Sequence, residues 1–246
     1  MEWMDVTLIG AGAGVIGAGL GGLLALLFSR PSNRVLGLML GLSAGVMLAI
    51  VFMELLEEAL DEAGFFYAAA GLLLGIILFI WLDDRFPHFH FVTEETRRGP
   101  YIKKGALIAT GIALHNFPEG VAIGAGFALS EATGIALAIL IGLHNIPEGL
   151  AIALPLNVGG THRLKSLGIT MLAGLPIGLG ALVGGVLSQI SPLFLGGAMG
   201  FAGGAMLYVV CDELIPDVYE LTNPHVAIGG ITIGVLLGMG LLFYLH

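Results

Sequence analysis

The sequence contains a single cysteine, Cys211, and few basic residues. One cysteine excludes both an intramolecular disulfide and a cluster of thiolate ligands, so any metal site must use His, Asn, Asp or Glu. Nine Lys and Arg stand against 18 Asp and Glu, which gives a formal net charge of −9. A nucleic-acid partner requires a basic face, so this charge balance speaks against nucleic acid and favours cations as ligands.

Charge of either sign is scarce. Only 11% of the 246 residues are charged and 57% are hydrophobic, which is outside the soluble globular range and typical of proteins whose main solvent is the lipid bilayer. The 40 glycines suit helices whose backbones pack closely in lipid. We therefore predict one transmembrane domain over residues 1–246.

Eight apolar stretches are long enough to cross a hydrocarbon core about 30 Å thick, which takes roughly 20 helical residues. They cover residues 6–28, 35–56, 65–82, 105–129, 132–158, 167–187, 193–213 and 226–245. The first stretch lacks the positive flank of a signal peptide and exceeds its length, so we interpret it as a membrane helix. The sequence thus predicts an all-α integral membrane protein, a bundle of eight transmembrane helices.

The basic residues predict the orientation of this bundle, because Lys and Arg concentrate in cytoplasmic loops. They lie between the first and second, third and fourth, and fifth and sixth predicted spans, at Arg30, Arg34, Arg85, Arg97, Arg98, Lys103, Lys104, Arg163 and Lys165. With eight spans these loops share one side, and the other side has no positive charge. We predict both termini outside and a cytoplasmic loop at about 83–104.

The first predicted span has small residues at four-residue spacing, Gly10, Gly14, Ala18 and Gly22. It also matches the dinucleotide-binding pattern G-x-G-x-x-G from Gly12 to Gly17, but no strand pattern precedes the match and no acidic residue lies about 20 positions later. We interpret the stretch as a helix-packing face. Such glycine-rich faces fit internal packing and a homodimer contact equally well.

One motif occurs twice. Residues 111–124 and 140–153 share nine identities in 14 positions, including His-Asn-x-Pro-Glu-Gly in both copies. The copies fall in the fourth and fifth predicted spans, which are antiparallel neighbours. His115 and Glu119 are four residues apart on one helix face, as are His144 and Glu148.

All four of these side chains lie near mid-membrane. At a rise of about 1.5 Å per residue they start within a slab on the order of 10 Å thick. A carboxylate at the centre of a membrane helix costs about 2.5 to 3.5 kcal/mol, so two carboxylates need a compensating partner, which a divalent cation supplies. Imidazole and carboxylate suit Zn²⁺, Fe²⁺, Mn²⁺ or Co²⁺, and the lack of sulfur ligands disfavours Cu⁺.

The motif contains two further features. Pro118 and Pro147 each remove a helix hydrogen bond and free a carbonyl four residues earlier, which membranes tolerate where the backbone lines a cavity or the protein interior. Asn116 and Asn145 are able to ligate the ion directly or to support its ligands. The alternative reading is two kinked helices whose His and Glu bond each other without metal, which recovers less of the burial cost.

At these residues the chain resembles the ZIP (Zrt/Irt-like) family of divalent metal transporters, of the prokaryotic GufA and ZupT type. The resemblance spans nearly the whole chain. It implies that His115, Glu119, His144 and Glu148 hold the principal transported ion and that Asn116 and Asn145 help to hold a second one. Many relatives place a Glu before a Pro in the sixth helix as a ligand of the second ion, where this sequence has Leu175 before Pro176.

Several further residues are candidates for the ion's route. The acidic segment from Asp212 to Asp217, with Asp212 and Glu213, is similar to the family's motif at the cytoplasmic exit. The second predicted span ends with Glu54 and Glu58, a carboxylate pair that suits metal uptake or, alternatively, solvated acids at a helix end. His88 and His90 in the inner loop suit capture of emerging metal or, alternatively, a plain solvated loop.

The resulting hypothesis is inward transport of Zn²⁺, and of related divalent ions including Cd²⁺, as substrate and without a catalytic cofactor. We do not expect an enzyme: an intramembrane metalloenzyme needs an open coordination position and a general base, and H-E-x-x-H is absent from the sequence. A metal-gated channel or sensor remains a third class, which the saturation of ion flux would separate from a carrier.

Overall fold

The computed structural model describes residues 2–27, 32–85 and 98–245, and within these ranges all regular structure is helical. The helices are α1 (Trp3–Leu27), α2 (Asn33–Ile50), α3 (Leu56–Arg85), α4 (Arg98–Leu129), α5 (Glu131–Val158), α6 (Arg163–Ala173), α7 (Pro176–Ser188), α8 (Pro192–Val209), α9 (Ile215–Leu221) and α10 (Pro224–Leu245). Two π-helical turns interrupt this series, Val51–Leu55 between α2 and α3 and Val210–Leu214 between α8 and α9. The all-α prediction is confirmed.

Seven helical stretches in the described ranges are long and apolar enough to cross a membrane. They are Trp3–Leu27, Asn33–Arg85, Gly105–Leu129, Glu131–Val158, Arg163–Ser188, Pro192–Leu221 and Pro224–Tyr244. The eight predicted spans differ from these at one place, since the predicted spans 35–56 and 65–82 both fall within the 53-residue stretch Asn33–Arg85. A straight helix of that length would measure about 80 Å, more than twice the hydrocarbon thickness.

The long stretch is not straight, because Gly64 breaks it. Gly64 has φ 72° and ψ 171°, a backbone conformation that only glycine adopts readily. The arm before this break packs along α8 with Ala63 against Gly196 and Leu55 against Gly203. Later residues of α8 therefore contact earlier residues of this arm, so the two run antiparallel.

The arm after Gly64 packs along the same helix in the other sense. Ala68 lies against Gly200 and Leu72 against Gly204, so later residues of α8 contact later residues of this arm. The two arms therefore run in opposite directions, with the turn at Gly64.

The two copies of the repeated motif lie on α4 and α5, which are joined through Ser130. The Ser130 hydroxyl accepts a hydrogen bond from the amide of Thr133 at 3.0 Å and caps α5, as serine does at helix N-termini. The turn between the helices is therefore short, and the antiparallel neighbours predicted from the sequence are confirmed.

Glycine allows α1 to pack directly against α5 behind the repeated motif. Gly17 faces the carbonyl of Gly142, and Gly21 faces the carbonyl of Ile146. A Cβ atom at either glycine would overlap backbone. The match to G-x-G-x-x-G therefore lies within one continuous helix and serves packing, as interpreted from the sequence.

The sixth predicted span is interrupted. α6 ends at Ala173 and α7 begins at Pro176, because proline has no amide hydrogen to continue the helical hydrogen bonding. α7 packs against α4, where Gly120 faces the carbonyl of Ile177. The break therefore lies beside the helix that carries the first copy of the motif.

We expect Gly21→Ala to lower the thermal unfolding temperature of the protein in detergent micelles, because the new methyl group meets the backbone of α5. Overpacking of this kind costs about 1 to 3 kcal/mol. Gly12→Ala is the matched control on the same helix, since a Cβ there meets nothing within 4 Å. Equal unfolding temperatures for the two variants would contradict the close α1–α5 contact.

Candidate metal centre

The structure places all six candidate ligands of the repeated motif, three from each copy, in the protein interior. Their relative exposures are 4% for His115, 0% for Asn116, 0% for Glu119, 2% for His144, 0% for Asn145 and 1% for Glu148. They lie in the middle of α4 and α5. Within each helix the histidine and the glutamate are on one face, as their four-residue spacing predicts.

Histidine and glutamate pair across the two helices. Nε2 of His144 on α5 lies 2.9 Å from Oε1 of Glu119 on α4, and Nε2 of His115 on α4 lies 3.4 Å from Oε2 of Glu148 on α5. His144 also approaches Oε1 of Glu148 within its own helix, at 3.9 Å. Each helix therefore supplies one histidine and one glutamate to a single cluster.

The cluster has dimensions close to those of a metal site. His115, Glu119 and Glu148 each offer one ligand atom, and these atoms all lie within 4.8 Å of one another. Ligand atoms around a tetrahedral Zn²⁺ with bonds of about 2.0 to 2.1 Å are about 3.3 Å apart. A small inward movement of side chains would thus allow these atoms to surround one ion.

The two asparagines of the repeat make different contacts. The Asn145 amide nitrogen donates to Oε2 of Glu119 at 3.3 Å and to the carbonyl of Ile141, one turn earlier in α5, at 2.9 Å. The Asn116 amide nitrogen instead donates to the carbonyl of Ala173, at the end of α6, at 2.8 Å. Asn145 therefore holds a carboxylate of the cluster, and Asn116 holds the cluster's helix to the α6–α7 break.

Several buried polar atoms of the cluster have no hydrogen-bond partner in the structure. Within the described residues they are Nδ1 of His115 and of His144, Oδ1 of Asn116 and of Asn145, and Oε1 of Glu148, while Nε2 of His115 and Oε2 of Glu148 have only their 3.4 Å contact with each other. A buried polar atom without a partner typically costs about 1 to 3 kcal/mol. The reading in which His and Glu only bond each other therefore leaves much of the cluster unsatisfied, whereas an ion would occupy these lone pairs.

A cavity of about 40 Å³ lies between the cluster and the acidic residues of the second π turn and of α9. His115 and Glu148 line it together with Glu213 and Asp217. Asp217 is 7% exposed and was not among the candidate residues predicted from the sequence. Its position four residues after Glu213, on the same helix face, is the signal that would have identified it.

The other predicted route residues are more dispersed. Glu54 is buried within the π turn Val51–Leu55 and Glu58 is half-buried in α3, and neither lines this cavity. Asp212 is exposed beside Glu213 in the second π turn. π turns occur frequently at functional sites. His88 and His90 lie outside the residues that the structure describes.

Leu175 occupies the position before Pro176 between α6 and α7. Its side chain is 44% exposed, so it does not share the burial of the cluster, and leucine offers no ligand atom.

Comparison with known proteins identifies the family. The family model described as ZIP Zinc transporter matches residues 92–246. Proteins named zinc transporter ZupT are 38% identical over 233 residues in Corynebacterium aurimucosum, covering 88% of each chain, and 35% identical over 249 residues in Chlorobium limicola, covering 92% of this chain and 91% of the relative. Zinc transporter ZTP29 of Arabidopsis thaliana is 31% identical over 259 residues, covering 95% of this chain and 92% of the relative.

The chain belongs to the ZIP zinc transporter family, and the resemblance drawn from the repeated motif is confirmed. Together with the seven membrane-capable helices, this makes it a multi-pass membrane protein. These relatives are named as transporters, which agrees with the expectation that the chain is not an enzyme.

Zinc should stabilise the wild-type protein against thermal unfolding in detergent. A ligand that binds the native state and is present at 100 times its Kd adds about 2.7 kcal/mol to the free energy of unfolding. We expect Glu148→Gln to reduce this zinc-dependent shift to roughly half or less, because it removes a charge from the cluster. Glu131→Gln, at the exposed start of the same helix, is the control and should keep the full shift. A full shift in Glu148→Gln would show that zinc binds elsewhere.

Proposed function

We propose that this chain carries divalent transition metal ions, Zn²⁺ above all, across the membrane into the cytoplasm, with Fe²⁺, Mn²⁺, Co²⁺ and Cd²⁺ as further substrates. The observation that supports this most directly is the convergence of two imidazoles and two carboxylates in the protein interior, where several of the buried ring and carboxylate atoms make no hydrogen bond to the described residues. The relatives named as zinc transporters favour the same function.

The proposed ligands are the residues of the repeat. His115, Glu119 and Glu148 already have ligand atoms close together, and His144 lies 2.9 Å from Glu119, so binding an ion requires the His–Glu pairs to separate and turn towards it. Asn145 supports Glu119. Oδ1 of Asn116 and of Asn145 are additional oxygen donors. The metal is cargo, and the protein performs no covalent chemistry on it.

The proposed route leads from Glu54 and Glu58 on the outer side, through the repeat, to Glu213 and the exposed Asp212 on the inner side. The cavity shared by His115, Glu148 and Glu213 supports the inner half of this path. Asp217, which lines the same cavity, extends the set of acidic groups that attract a cation leaving the cluster. His88 and His90 stay a prediction for capture of metal in the cytoplasmic loop.

We further propose that the chain crosses the membrane eight times as a single transporter domain. The two arms on either side of Gly64 run in opposite directions along α8, which supports counting Asn33–Arg85 as two crossings. The distribution of Lys and Arg then favours a cytoplasmic loop at about 83–104 and both termini outside the cell membrane. A homodimer stays a prediction from the glycine-rich faces.

The function is tested by metal uptake into proteoliposomes that contain a trapped Zn²⁺-responsive dye. We expect saturable zinc uptake by the wild type and a loss of at least about tenfold in Glu119→Gln and in His144→Ala, because each variant removes a ligand of the proposed site. His162→Ala, an exposed histidine before α6, is the control and should transport normally. Competition by Fe²⁺, Mn²⁺ and Cd²⁺ then orders the substrates.

Other outcomes of the same assay identify the alternatives. Flux that rises linearly with zinc concentration would indicate a channel. Zinc binding without flux under a gradient of either sign would overturn the transporter proposal and favour an intramembrane metalloenzyme or a sensor.

The orientation is tested by cysteine labelling in intact cells, on a background in which the sole cysteine is replaced by Cys211→Ser. We expect a membrane-impermeant maleimide to label Gln189→Cys, in the exposed turn after α7, but not Arg163→Cys, at the exposed start of α6. Permeabilised cells, in which both should react, provide the control. Labelling of Arg163→Cys alone in intact cells would invert the proposed orientation.

A further inference from the structure

The turn of α5 that carries His144 is weakened by its own sequence. Pro147 has no amide hydrogen, so the carbonyl of Leu143 loses its normal helical donor, and the proline ring crowds this part of the helix. In membranes such irregular turns persist where side chains of neighbouring helices satisfy the affected backbone groups. The backbone of His144 lies in this turn. The imidazole that we propose as a ligand therefore projects from a stretch of helix that Pro147 disturbs.

A hydroxyl from another helix reaches this turn. Oγ of Ser43 on α2 donates a hydrogen bond to the backbone carbonyl of His144 at 3.1 Å. Ser43 is 1% exposed and His144 is 2% exposed, so water does not compete for the contact. α2 itself is closely packed against α10, where Gly45 faces the carbonyl of Ile231. Ser43 is therefore presented from a helix with its own support.

An apolar groove lies beside this contact. A cavity of about 240 Å³ borders Ser43, His144 and Pro147, and the remaining residues that line it are apolar. This space opens towards the outer surface of the bundle, where Leu143 and Leu237 are each 47% exposed, so fewer protein atoms contact the His144 turn on this side. The hydroxyl of Ser43 provides a polar connection from α2 to this turn.

We propose that Ser43 is a positioning residue for the ion site. By holding the carbonyl of His144 it fixes the backbone from which the imidazole projects, and so keeps Nε2 beside Oε1 of Glu119, 2.9 Å away. Ser43 thereby sets the affinity and the ion preference of the site without touching the ion. This inference rests on the proposed transport of metal through the repeat.

The test compares Ser43→Ala with Ser43→Thr in the proteoliposome assay. Ser43→Ala should raise the half-saturating zinc concentration about three- to tenfold, the range of one interhelical hydrogen bond in membranes, and change the maximal rate less. Ser43→Ala should also reduce the preference for Zn²⁺ over Cd²⁺, because Cd²⁺ needs longer metal–ligand bonds and a less firmly positioned His144 accommodates them more easily. Ser43→Thr keeps the hydroxyl, and the adjoining cavity has room for its methyl group, so it should restore both values.

Ser188→Ala is the matched control, since the Ser188 hydroxyl is buried and has no hydrogen-bond partner in the structure. It should leave half-saturation and ion preference unchanged. If Ser43→Ala does not fold, Ser43→Cys takes its place, because a thiol is a weaker donor of similar size and should give a smaller shift of the same sign.

Two results would overturn the proposal: half-saturation in a folded Ser43→Ala or Ser43→Cys equal to that of Ser188→Ala, or no recovery in Ser43→Thr. A failure of the proposed function looks different, because wild-type liposomes would then take up no zinc. In that case calorimetry of zinc binding to the detergent-solubilised wild type and Ser43→Ala decides the positioning role on affinity alone.

Discussion

The pairing of histidine with glutamate across α4 and α5 is the interaction on which the rest of the structure depends. Ionisable groups inside a membrane protein are costly unless they are paired or coordinated, and each of the two pairs joins one helix to the other. The two helices must therefore stay adjacent and in register. The short turn at Ser130 and the glycines of α1 and α7, which pack against α5 and α4 by backbone contact, maintain that arrangement.

The same constraint explains the polar contacts outside the pairs. Two prolines near the cluster remove backbone hydrogen bonds because they have no amide hydrogen. They are Pro147 within α5 and Pro176 after the end of α6. At each place a side chain from another helix donates to a carbonyl, Ser43 to that of His144 and Asn116 to that of Ala173. The Asn116 donor lies at the helix end before Pro176, and the Ser43 donor reaches the carbonyl next to the one that Pro147 leaves without its helical donor, so an interhelical hydrogen bond lies beside each irregular turn.

Hydropathy and the repeat predicted the helical class, the approximate bounds of α4 and α5, and the burial of the six repeat residues. Residue spacing describes the face of one helix and does not identify the neighbour across from it. Two identical motifs therefore could not predict that Asn116 bonds the end of α6 while Asn145 bonds a carboxylate of the cluster. Gly64 lies between two predicted spans but gave no sign of a tight turn without a loop. The position of Ser43 beside the cluster could not be predicted from the sequence, because it depends on which helix lies against α2. Asp217 ends the acidic segment noted in the sequence, but the structure was needed to place it in the cavity beside the cluster.

The backbone contacts between α1 and α5 also limit how the protein can move. Gly17 and Gly21 fit against carbonyls of α5 at points one helical turn apart, and a Cβ at either position would overlap those carbonyls. We expect a displacement of α5 to involve α1 as well, because the two helices meet through backbone atoms rather than through flexible side chains.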